Sequence, residues 1–413
     1  MRVLYLCHRI PFPPNKGDKI RAYRELRAIG ERHEVDLFTL ADCAEDLEGE
    51  LALRRYCRTV TVAGLSRGQA RLRMLSTLWG GKPLSNAYFY SPELDVKLHN
   101  ALLRRSYDRI FVYCSSMAQY VRGIRDVPAV VDFVDVDSDK WMQYSAVAHF
   151  PLSAVYRREA RCLRDYERRL CKRYPAIVVT TEREAQLIRH LWEKTHVHVV
   201  ANGVDTAYFD PADSMPESSS PEIVFTGDMG YFPNQQAVAF FARSVLPLVR
   251  RAVPNAHFSI VGRNPSRSVL RLRKIDAVTV TGSVRDIRPY LAKARVCVAP
   301  FSIAAGIQNK ILEAMAYARP VVATPRAVQG LVETVADVID VGETAEELAD
   351  LVASLLREPN IALRKGLQGR QRVAAEYNWD RSLARLLDLL KQPHAVGRSR
   401  EAPVEPPAAL EAR

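Results

Sequence analysis

The chain has 413 residues, enough for two domains of ordinary size, and 48% hydrophobic with 26% charged residues is a typical globular balance. No run of about 18 apolar residues occurs, so the sequence predicts no membrane-spanning helix. A net charge of +12 favours acidic partners, which include nucleic acid, anionic lipid and phosphorylated substrates.

The N-terminus and the cysteines indicate a cytoplasmic protein. The apolar stretch "VLYLC" is too short for a signal peptide and predicts a first strand. Seven scattered cysteines without a C-x-x-C pair indicate reduced thiols. His196 and His198 would share one face of a strand, but no further ligand cluster accompanies them, so we predict no metal site.

Short β-rich runs alternate with helical stretches along the first half of the chain. This alternation predicts a parallel sheet with helices on both faces. Residues 202–222 interrupt it with many Pro, Ser, Asp and Gly residues, which predicts a linker. The predicted strands before the linker are "VLYLC", "VDLFTL", "TVTVAG", "RIFVYC", "VVDFVDV", "AIVVTT" and "VHVVAN".

The alternation restarts after the linker, with predicted strands "IVFTG", "FSIVG", "VTVTG", "VCVAP", "PVVAT" and "DVID", and it ends in long helices. We therefore predict two similar doubly wound α/β domains, residues 1–201 and 223–391. Residues 392–413 show no periodicity and are predicted to be disordered. Ligands of such sheets bind beyond the carboxyl ends of the strands, so two facing domains would form a cleft.

Two loops of the first half could face that cleft. "HRIPFPPNKGDKIRAYREL" follows the first strand, and its amides around Gly17 could approach a ligand, although a plain connection is the alternative. In "VVDFVDVDSDKW", Asp135, Asp137 and Asp139 share one face if the strand continues. They could bind Mg²⁺ or act in acid–base chemistry, or Asp137 or Ser138 could cap the next helix.

The second half offers an anion site. Gly227 ends one predicted strand and Arg263 follows another, where an arginine suits a diphosphate but could also be a surface residue. The loop in "GSVRDIRPYL" could read a nucleobase edge with its backbone. In "GIQNKILEAMAYARPVV", Lys310 and Glu313 open a helix, either as a surface ion pair or as an anion site with a hydroxyl acceptor.

Two basic stretches carry much of the positive charge. In residues 67–83, Leu72, Leu75, Leu78 and Trp79 fall on one helical side with arginines nearby, which suits either an anionic bilayer or the core. Residues 156–173 hold eight basic and three acidic residues, as a solvated helix face would. No zinc finger or other recognised nucleic-acid module occurs, so we predict no nucleic-acid partner.

These second-half motifs, together with "NGVDTAYF", resemble glycosyltransferase family 4 over roughly residues 1–390. "HRIPFPPNKGDKIRAYREL" with "DFVDVDSDKW" resembles, more narrowly, the sugar transferases of the bacterial exosortase/PEP-CTERM exopolysaccharide system. The resemblance implies a GT-B fold of two Rossmann-like domains, with a nucleoside-diphosphate sugar in the second and a glycan or lipid-linked acceptor facing the first. It also implies retaining transfer without a metal or other cofactor.

The resemblance also implies roles for single residues. Glu313 would hold the ribose hydroxyls, and Lys310 with Arg263 would stabilise the leaving diphosphate. Asp135 is a candidate on the acceptor side. The complete set of predicted site residues is Gly17, Asp135, Gly227, Arg263, Gly306, Asn309, Lys310 and Glu313.

Three positions depart from the family pattern. Ala305 stands where a first glutamate is usual, "GDMGYFPN" replaces a common Arg and Lys, and Asp135 stands where many members have a histidine. Two other functions therefore stay open: a non-catalytic scaffold that binds a nucleotide sugar or an assembly partner, and a sugar-nucleotide epimerase.

Overall fold

The computed structural model describes residues 1–41, 44–211 and 221–392, and places them in two parallel-sheet α/β domains. Most of the predicted linker after residue 211 and nearly all of the predicted tail lie outside these ranges, so the predicted boundaries stay predictions.

The first domain is built on a seven-stranded parallel sheet, in the order β3-β2-β1-β4-β5-β6-β7. All seven strands predicted before the linker are present. The interiors of the five central strands are buried on both faces, as a parallel sheet covered by helices requires, while the edge strands β3 and β7 are mostly only partly buried. The strands are β1 Arg2–Cys7, β2 Glu34–Ala41, β3 Thr59–Gly64, β4 Arg109–Tyr113, β5 Ala129–Val134, β6 Ala176–Val179 and β7 His196–Val199.

Eight α-helices and one 3-10 turn, Ser115–Tyr120, connect these strands over the described residues. Alternate residues of β1 pack on opposite faces, Leu4 and Leu6 on one and Val3 and Tyr5 on the other. The helices are α1 Gly17–Gly30, α2 Ala44–Leu53, α3 Arg67–Thr77, α4 Leu84–Tyr88, α5 Pro92–Arg104, α6 Asp137–Val147, α7 Leu152–Arg173 and α8 Glu182–Leu191.

The second domain contains a six-stranded parallel sheet, in the order β10-β9-β8-β11-β12-β13. The six predicted strands are present, although β13 starts at the end of the predicted run "DVID". The strands are β8 Glu222–Thr226, β9 His257–Val261, β10 Val278–Gly282, β11 Val296–Ala299, β12 Val321–Ala323 and β13 Asp340–Val341.

The helices after β8 include a one-turn π segment, Phe241–Val245, and a 3-10 turn, Arg271–Lys274. Helix α16 begins with a capping box in which Thr344 and Glu347 satisfy each other's backbone amides. The helices are α9 Phe232–Phe240, α10 Leu246–Ala252, α11 Arg267–Leu270, α12 Arg288–Lys293, α13 Asn309–Ala316, α14 Pro325–Val328, α15 Glu333–Ala336, α16 Ala345–Arg357, α17 Pro359–Glu376 and α18 Trp379–Lys391.

Helix α18 returns to the first domain. Its apolar side chains, among them Leu386 and Leu390, belong to the same core as Val3 and Tyr5 of β1. We predicted from the sequence that this helix belongs to the second domain. An apolar stripe shows that a helix is buried but does not identify the element it packs against.

Each sheet has a topological switch point, where neighbouring strands continue in opposite directions across the sheet. In the first sheet it lies between β1 and β4, and in the second between β8 and β11. Crevices form at the carboxyl ends of such strands. The loops after β1 and the N-terminus of α13 therefore stand at the two positions best suited to hold a ligand.

Candidate functional site

Lys310 lies on the first turn of α13, at the switch point of the second sheet. Its ammonium group stands 4.6 Å from the ring centroid of Phe301 and 5.3 Å from that of Phe225. It donates a hydrogen bond to Oδ1 of Asn234 at 3.1 Å. Burial lowers the pKa of Lys310 to about 8, against the opposing effect of Glu313. A partly buried ammonium at a helix N-terminus is suited to bind an anion.

Glu313 follows one turn further along α13. Burial raises the pKa of its carboxyl group, and the charge of Lys310 opposes that rise. The residue before the helix, Gln308, donates its amide to the carbonyl of Ala305 at 3.0 Å and does not cap α13. The amide of Ile311 donates to the carbonyl of Gln308 at 2.9 Å, while the amides of Asn309 and Lys310 have no side-chain cap and can donate to an anion.

The loop after β8 passes unusually close to the loop after β9. A Cβ atom on Gly262 would lie 1.7 Å from the carbonyl oxygen of Gly227. Asn234, which is buried, donates to the carbonyl of Asp228 at 2.8 Å and accepts from Lys310. One amide therefore fixes both the glycine loop and the ammonium, a role that the sequence analysis did not assign to Asn234.

We expect Gly262→Ala to destabilise the second domain by about 1–3 kcal/mol, because the new methyl group must displace a backbone carbonyl rather than a movable side chain. Urea unfolding would measure the loss. Gly64→Ala is the matched control, since a Cβ at Gly64 meets nothing within 4 Å. Equal stabilities of the two variants would contradict the close approach.

Arg263 follows β9, as the sequence predicted, but it is paired with a carboxylate. Its Nε lies 3.1 Å from Oδ2 of Asp228, and its Nη2 donates to the carbonyl of Asn15 at 3.1 Å. Lys16 approaches the same Asp228 oxygen at 3.9 Å. Arg263 thus joins the second domain to the loop after β1, and Asp228 neutralises positive charge at the cleft.

Gly17 and Asn309 face each other across the cleft. A Cβ on Gly17 would lie 3.2 Å from Nδ2 of Asn309, and Asn202 donates to Oδ1 of Asn309 at 3.0 Å. Gly17 is the first residue of α1, and Asn309 is the first residue of α13. The positive ends of two helices therefore converge on the same space.

Asp135 and Gly306 also meet between the domains. A Cβ on Gly306 would lie 2.3 Å from Oδ1 of Asp135, and the φ of Gly306 is 58°, a conformation that favours glycine. Burial raises the pKa of Asp135, against the charge of Lys140. Asp135 thus stands beside the loop that leads into α13.

The predicted carboxylate trio is not on one face of a strand. Strand β5 ends at Val134, and α6 begins at Asp137, so Asp135 lies in the turn between them. Asp137 pairs with Lys140, while Asp139 pairs with Arg183 at 2.9 Å. The alternative prediction of an Asp137 or Ser138 cap is also wrong, since Val136 occupies the N-cap position.

His8 and Asp18 were missed by the sequence analysis. Nε2 of His8 lies 3.6 Å from Oδ2 of Asp18, and Arg9 pairs with the same oxygen at 3.0 Å. Burial lowers the pKa of His8 against the effect of Asp18. Although burial raises the pKa of Asp18, the nearby imidazole of His8 and the charge of Arg9 bring it well below its usual range. A histidine directly after a strand, "LYLCH", was the available signal.

The predicted base-reading loop after β10 lines an open cavity of about 480 Å³. Tyr208, which precedes the undescribed part of the linker, reaches this loop, and its hydroxyl lies 3.3 Å from Oδ1 of Asp286. The cavity is lined by Val284, Arg285, Asp286, Pro289, Tyr290 and Lys293.

The described ranges contain neither a metal-binding cluster nor a membrane-spanning helix. Among those residues, no three His, Cys, Asp or Glu side chains are close enough together to hold a metal ion. No described helix combines the length and the apolar character needed to cross a bilayer.

Comparison with known proteins identifies both domains. A family model described as Glycosyltransferase Family 4 matches residues 17–208, and one described as Glycosyl transferases group 1 matches residues 220–358.

Two curated relatives come from mycobacteria. The alpha-maltose-1-phosphate synthase of Mycolicibacterium smegmatis is 29% identical over 48% of this chain and 57% of its own length. The GDP-mannose-dependent alpha-(1-6)-phosphatidylinositol monomannoside mannosyltransferase of Mycobacterium tuberculosis is 33% identical over 36% of this chain and 42% of its own. The chain thus spans about half the length of the curated relatives it matches.

The fold is shared with a solved structure, that of Anabaena HepE in complex with UDP and glucose. The TM-score is 0.67 at 14% identity, over 95% of this chain and 100% of that one. The two family models together match most of the chain, in the order in which its two α/β domains occur, so the protein consists of a Glycosyltransferase Family 4 domain followed by a Glycosyl transferases group 1 domain in a GT-B fold.

Proposed function

We propose that this protein is a retaining, metal-independent glycosyltransferase that moves a sugar from a nucleoside diphosphate to a glycan or lipid-linked acceptor. The observation that carries the proposal is the convergence of Lys310 and the N-termini of α1 and α13 on one cleft. Such an arrangement suits the negative charge that grows on a departing diphosphate.

The residues divide into a donor side and an acceptor side. On the donor side, Glu313 accepts hydrogen bonds from the ribose hydroxyls, and Gly227 lets the backbone approach the diphosphate. Lys310 and Arg263 supply positive charge without a bound cation. Arg263 reaches the diphosphate by exchanging its pairing with Asp228 for the phosphate oxygens.

Asp135 faces the acceptor. It stands where the chain of the first domain meets the donor loop at Gly306, so an acceptor hydroxyl held there would lie next to the bound sugar. Its raised pKa suits a group that takes up the acceptor's proton. The anomeric configuration of the sugar is retained if the acceptor attacks from the side on which the diphosphate leaves.

The pathway proposal rests on resemblance. The loop after β1 and the segment around Asp135 resemble the sugar transferases of the exosortase/PEP-CTERM exopolysaccharide system, so we assign the protein to exopolysaccharide synthesis at the cytoplasmic membrane face. A relative named for a phosphatidylinositol monomannoside substrate supports a lipid-linked acceptor.

The first test is a thermal-shift panel of UDP, GDP, ADP, TDP and CMP on the wild type and on Glu313→Ala. A nucleotide held at 100 times its Kd adds about 2.7 kcal/mol, and each kcal/mol raises Tm by about 2–4 °C in domains of this size. We expect one base to raise Tm in the wild type and to lose that effect in the variant.

The matched control is Glu346→Ala, which removes an exposed first-turn glutamate from α16 in the same domain. It should keep the full nucleotide shift. A shift that persists in Glu313→Ala would overturn the assignment of the ribose site. Nucleotide binding without transfer to any tested acceptor would favour the scaffold function instead.

Donor affinity should depend on pH through Lys310. The pKa of this side chain is lowered to about 8 in the free protein, and a bound diphosphate favours the charged ammonium. We therefore expect nucleoside diphosphate affinity to fall as the pH rises through about 8. Calorimetric titration across this range would measure it, and Lys310→Met should show no such fall.

A further inference from the structure

Part of the first-domain surface combines exposed apolar side chains with exposed arginines. We name it the α3–α7 surface and define it by Leu72, Leu75, Trp79, Phe150, Arg157, Arg161, Arg164 and Arg168. We propose that the α3–α7 surface docks the protein on an anionic lipid bilayer. The proposal extends the proposed function, on which it rests for the lipid-linked acceptor.

The apolar part lies on α3 and the turn after it. Leu72 and Leu75 are 67% and 63% exposed, and Trp79 is 93% exposed. The sequence left open whether these side chains belong to the core, and the exposure of these three excludes that alternative. Large apolar side chains grouped in water mark a surface that another phase or partner covers.

The basic part is a stripe along α7. Arg157, Arg161, Arg164 and Arg168 are all exposed, and their spacing of four, three and four residues places them on one side of the helix. Two of the three acidic residues of α7, Glu159 and Glu167, are buried. The third, Asp165, is exposed, so the outer face of the helix stays strongly positive.

Hydrogen bonds of two α7 residues join these parts into one surface. Arg158 of α7 donates to the carbonyl of Thr77 at 2.7 Å and to that of Gly80, which lie on either side of Trp79. Glu159 accepts from the amides of Leu84 at 2.7 Å and of Ser85 at 2.9 Å. The turn that carries Trp79 is therefore held against the first half of α7, beside the arginine stripe.

The surface lies next to the cleft. Helix α6 starts at the carboxyl end of β5, so the α6–α7 hairpin projects from the edge of the sheet that carries the site. Tyr144 of α6 touches the second domain, with its ring 5.9 Å from that of Phe232. Phe150, 84% exposed, lies in the connection between the two helices. A bilayer at this surface would present an acceptor headgroup close to the cleft.

Charge and chemistry favour lipid over other occupants. Arginines attract anionic headgroups, while leucine, phenylalanine and tryptophan side chains enter the interfacial layer. A second copy of the chain would bring one arginine stripe against another. A nucleic acid would contact the arginines but leave Leu72 and Leu75 in water.

The test is co-sedimentation of the full chain with vesicles of phosphatidylcholine, with or without phosphatidylglycerol. We expect binding only to the anionic vesicles. Trp79→Ala with Phe150→Ala should weaken it, and replacement of Arg157, Arg161, Arg164 and Arg168 by glutamate should weaken it at least about tenfold.

The matched controls lie on the second domain. The first control, Leu363→Ala with Leu367→Ala, removes exposed leucines. The second replaces four exposed arginines by glutamate, at positions Arg243, Arg251, Arg271 and Arg364. Both should keep wild-type vesicle binding. Equal losses in control and test variants would overturn the proposal, as would binding to DNA but not to vesicles, or dimerisation that the test variants abolish.

Failure of this proposal can be told apart from failure of the proposed function. The surface variants should keep the nucleotide-induced rise in Tm, since the substituted residues belong to the first domain and Lys310 and Glu313 to α13 of the second. Glu313→Ala should keep vesicle binding. Vesicle binding without nucleotide binding would support the docking surface and overturn the transferase assignment. Nucleotide binding without vesicle binding would support the transferase assignment and overturn the docking surface.

Discussion

Replacement of Lys310 by methionine is expected to lower sugar transfer by about 10²- to 10³-fold, the usual effect of removing one preorganised group that stabilises developing charge. The ammonium is held by Phe301, Phe225 and Asn234 before any ligand arrives. It therefore needs little reorganisation when the sugar–diphosphate bond breaks. Methionine keeps the apolar contacts of the stem and removes only the charge.

The measurement is release of nucleoside diphosphate under saturating donor, so that a loss in kcat is separated from weaker binding. Lys274→Met, at an exposed lysine after β9, is the control and should keep wild-type turnover. If Lys310→Met changed KM alone, the lysine would bind donor and transition state equally and the catalytic role would be refuted.

Replacement of Arg21 by methionine is expected to destabilise the first domain by about 3–5 kcal/mol, as when one partner of a buried ion pair is removed. The guanidinium is fully buried and lies 2.6 Å from Asp132 and 3.0 Å from Glu25. It also donates to the carbonyl of Val200 at 2.7 Å and to Asn202 at 3.1 Å. The substitution leaves these acceptors in the core without their donor.

Urea unfolding would measure this loss. The control is Arg24→Met, on the same helix as Arg21. It breaks a partly exposed ion pair with Asp205 and should lower the free energy of unfolding by less than about 1 kcal/mol. Adding Asp132→Asn to Arg21→Met should restore part of the stability, because it removes the uncompensated charge. A double variant no more stable than Arg21→Met would point to lost packing instead.

The fold could be predicted from the sequence because its signal is local. Buried parallel strands are continuous apolar runs, and helices between them carry their own periodicity, so thirteen strands in two sets were recognisable. The GT-B arrangement followed from the resemblance of several motifs. The core that α18 joins could not be predicted, since it depends on contacts between residues far apart in the chain.

The site was predictable only in part, for the same reason. Lys310 and Glu313 share one helix turn, which the spacing alone reveals. The pairing of Arg263 with Asp228 and the contact of Asp135 with Gly306 join separate strands or domains. The prediction that three carboxylates share one strand face was wrong because Val134, with a φ of 64°, ends the strand before the alternation reaches Asp135.

The path of α18 has a consequence for how the chain folds as it is synthesised. N-terminal domains usually fold first on the ribosome. Here one side of the first sheet takes Leu383, Leu386, Leu387 and Leu390 from the last described helix, so that side cannot close until the second domain has also been made. The first domain therefore completes its folding only after the second has been synthesised. Until then it exposes apolar surface that a chaperone could bind.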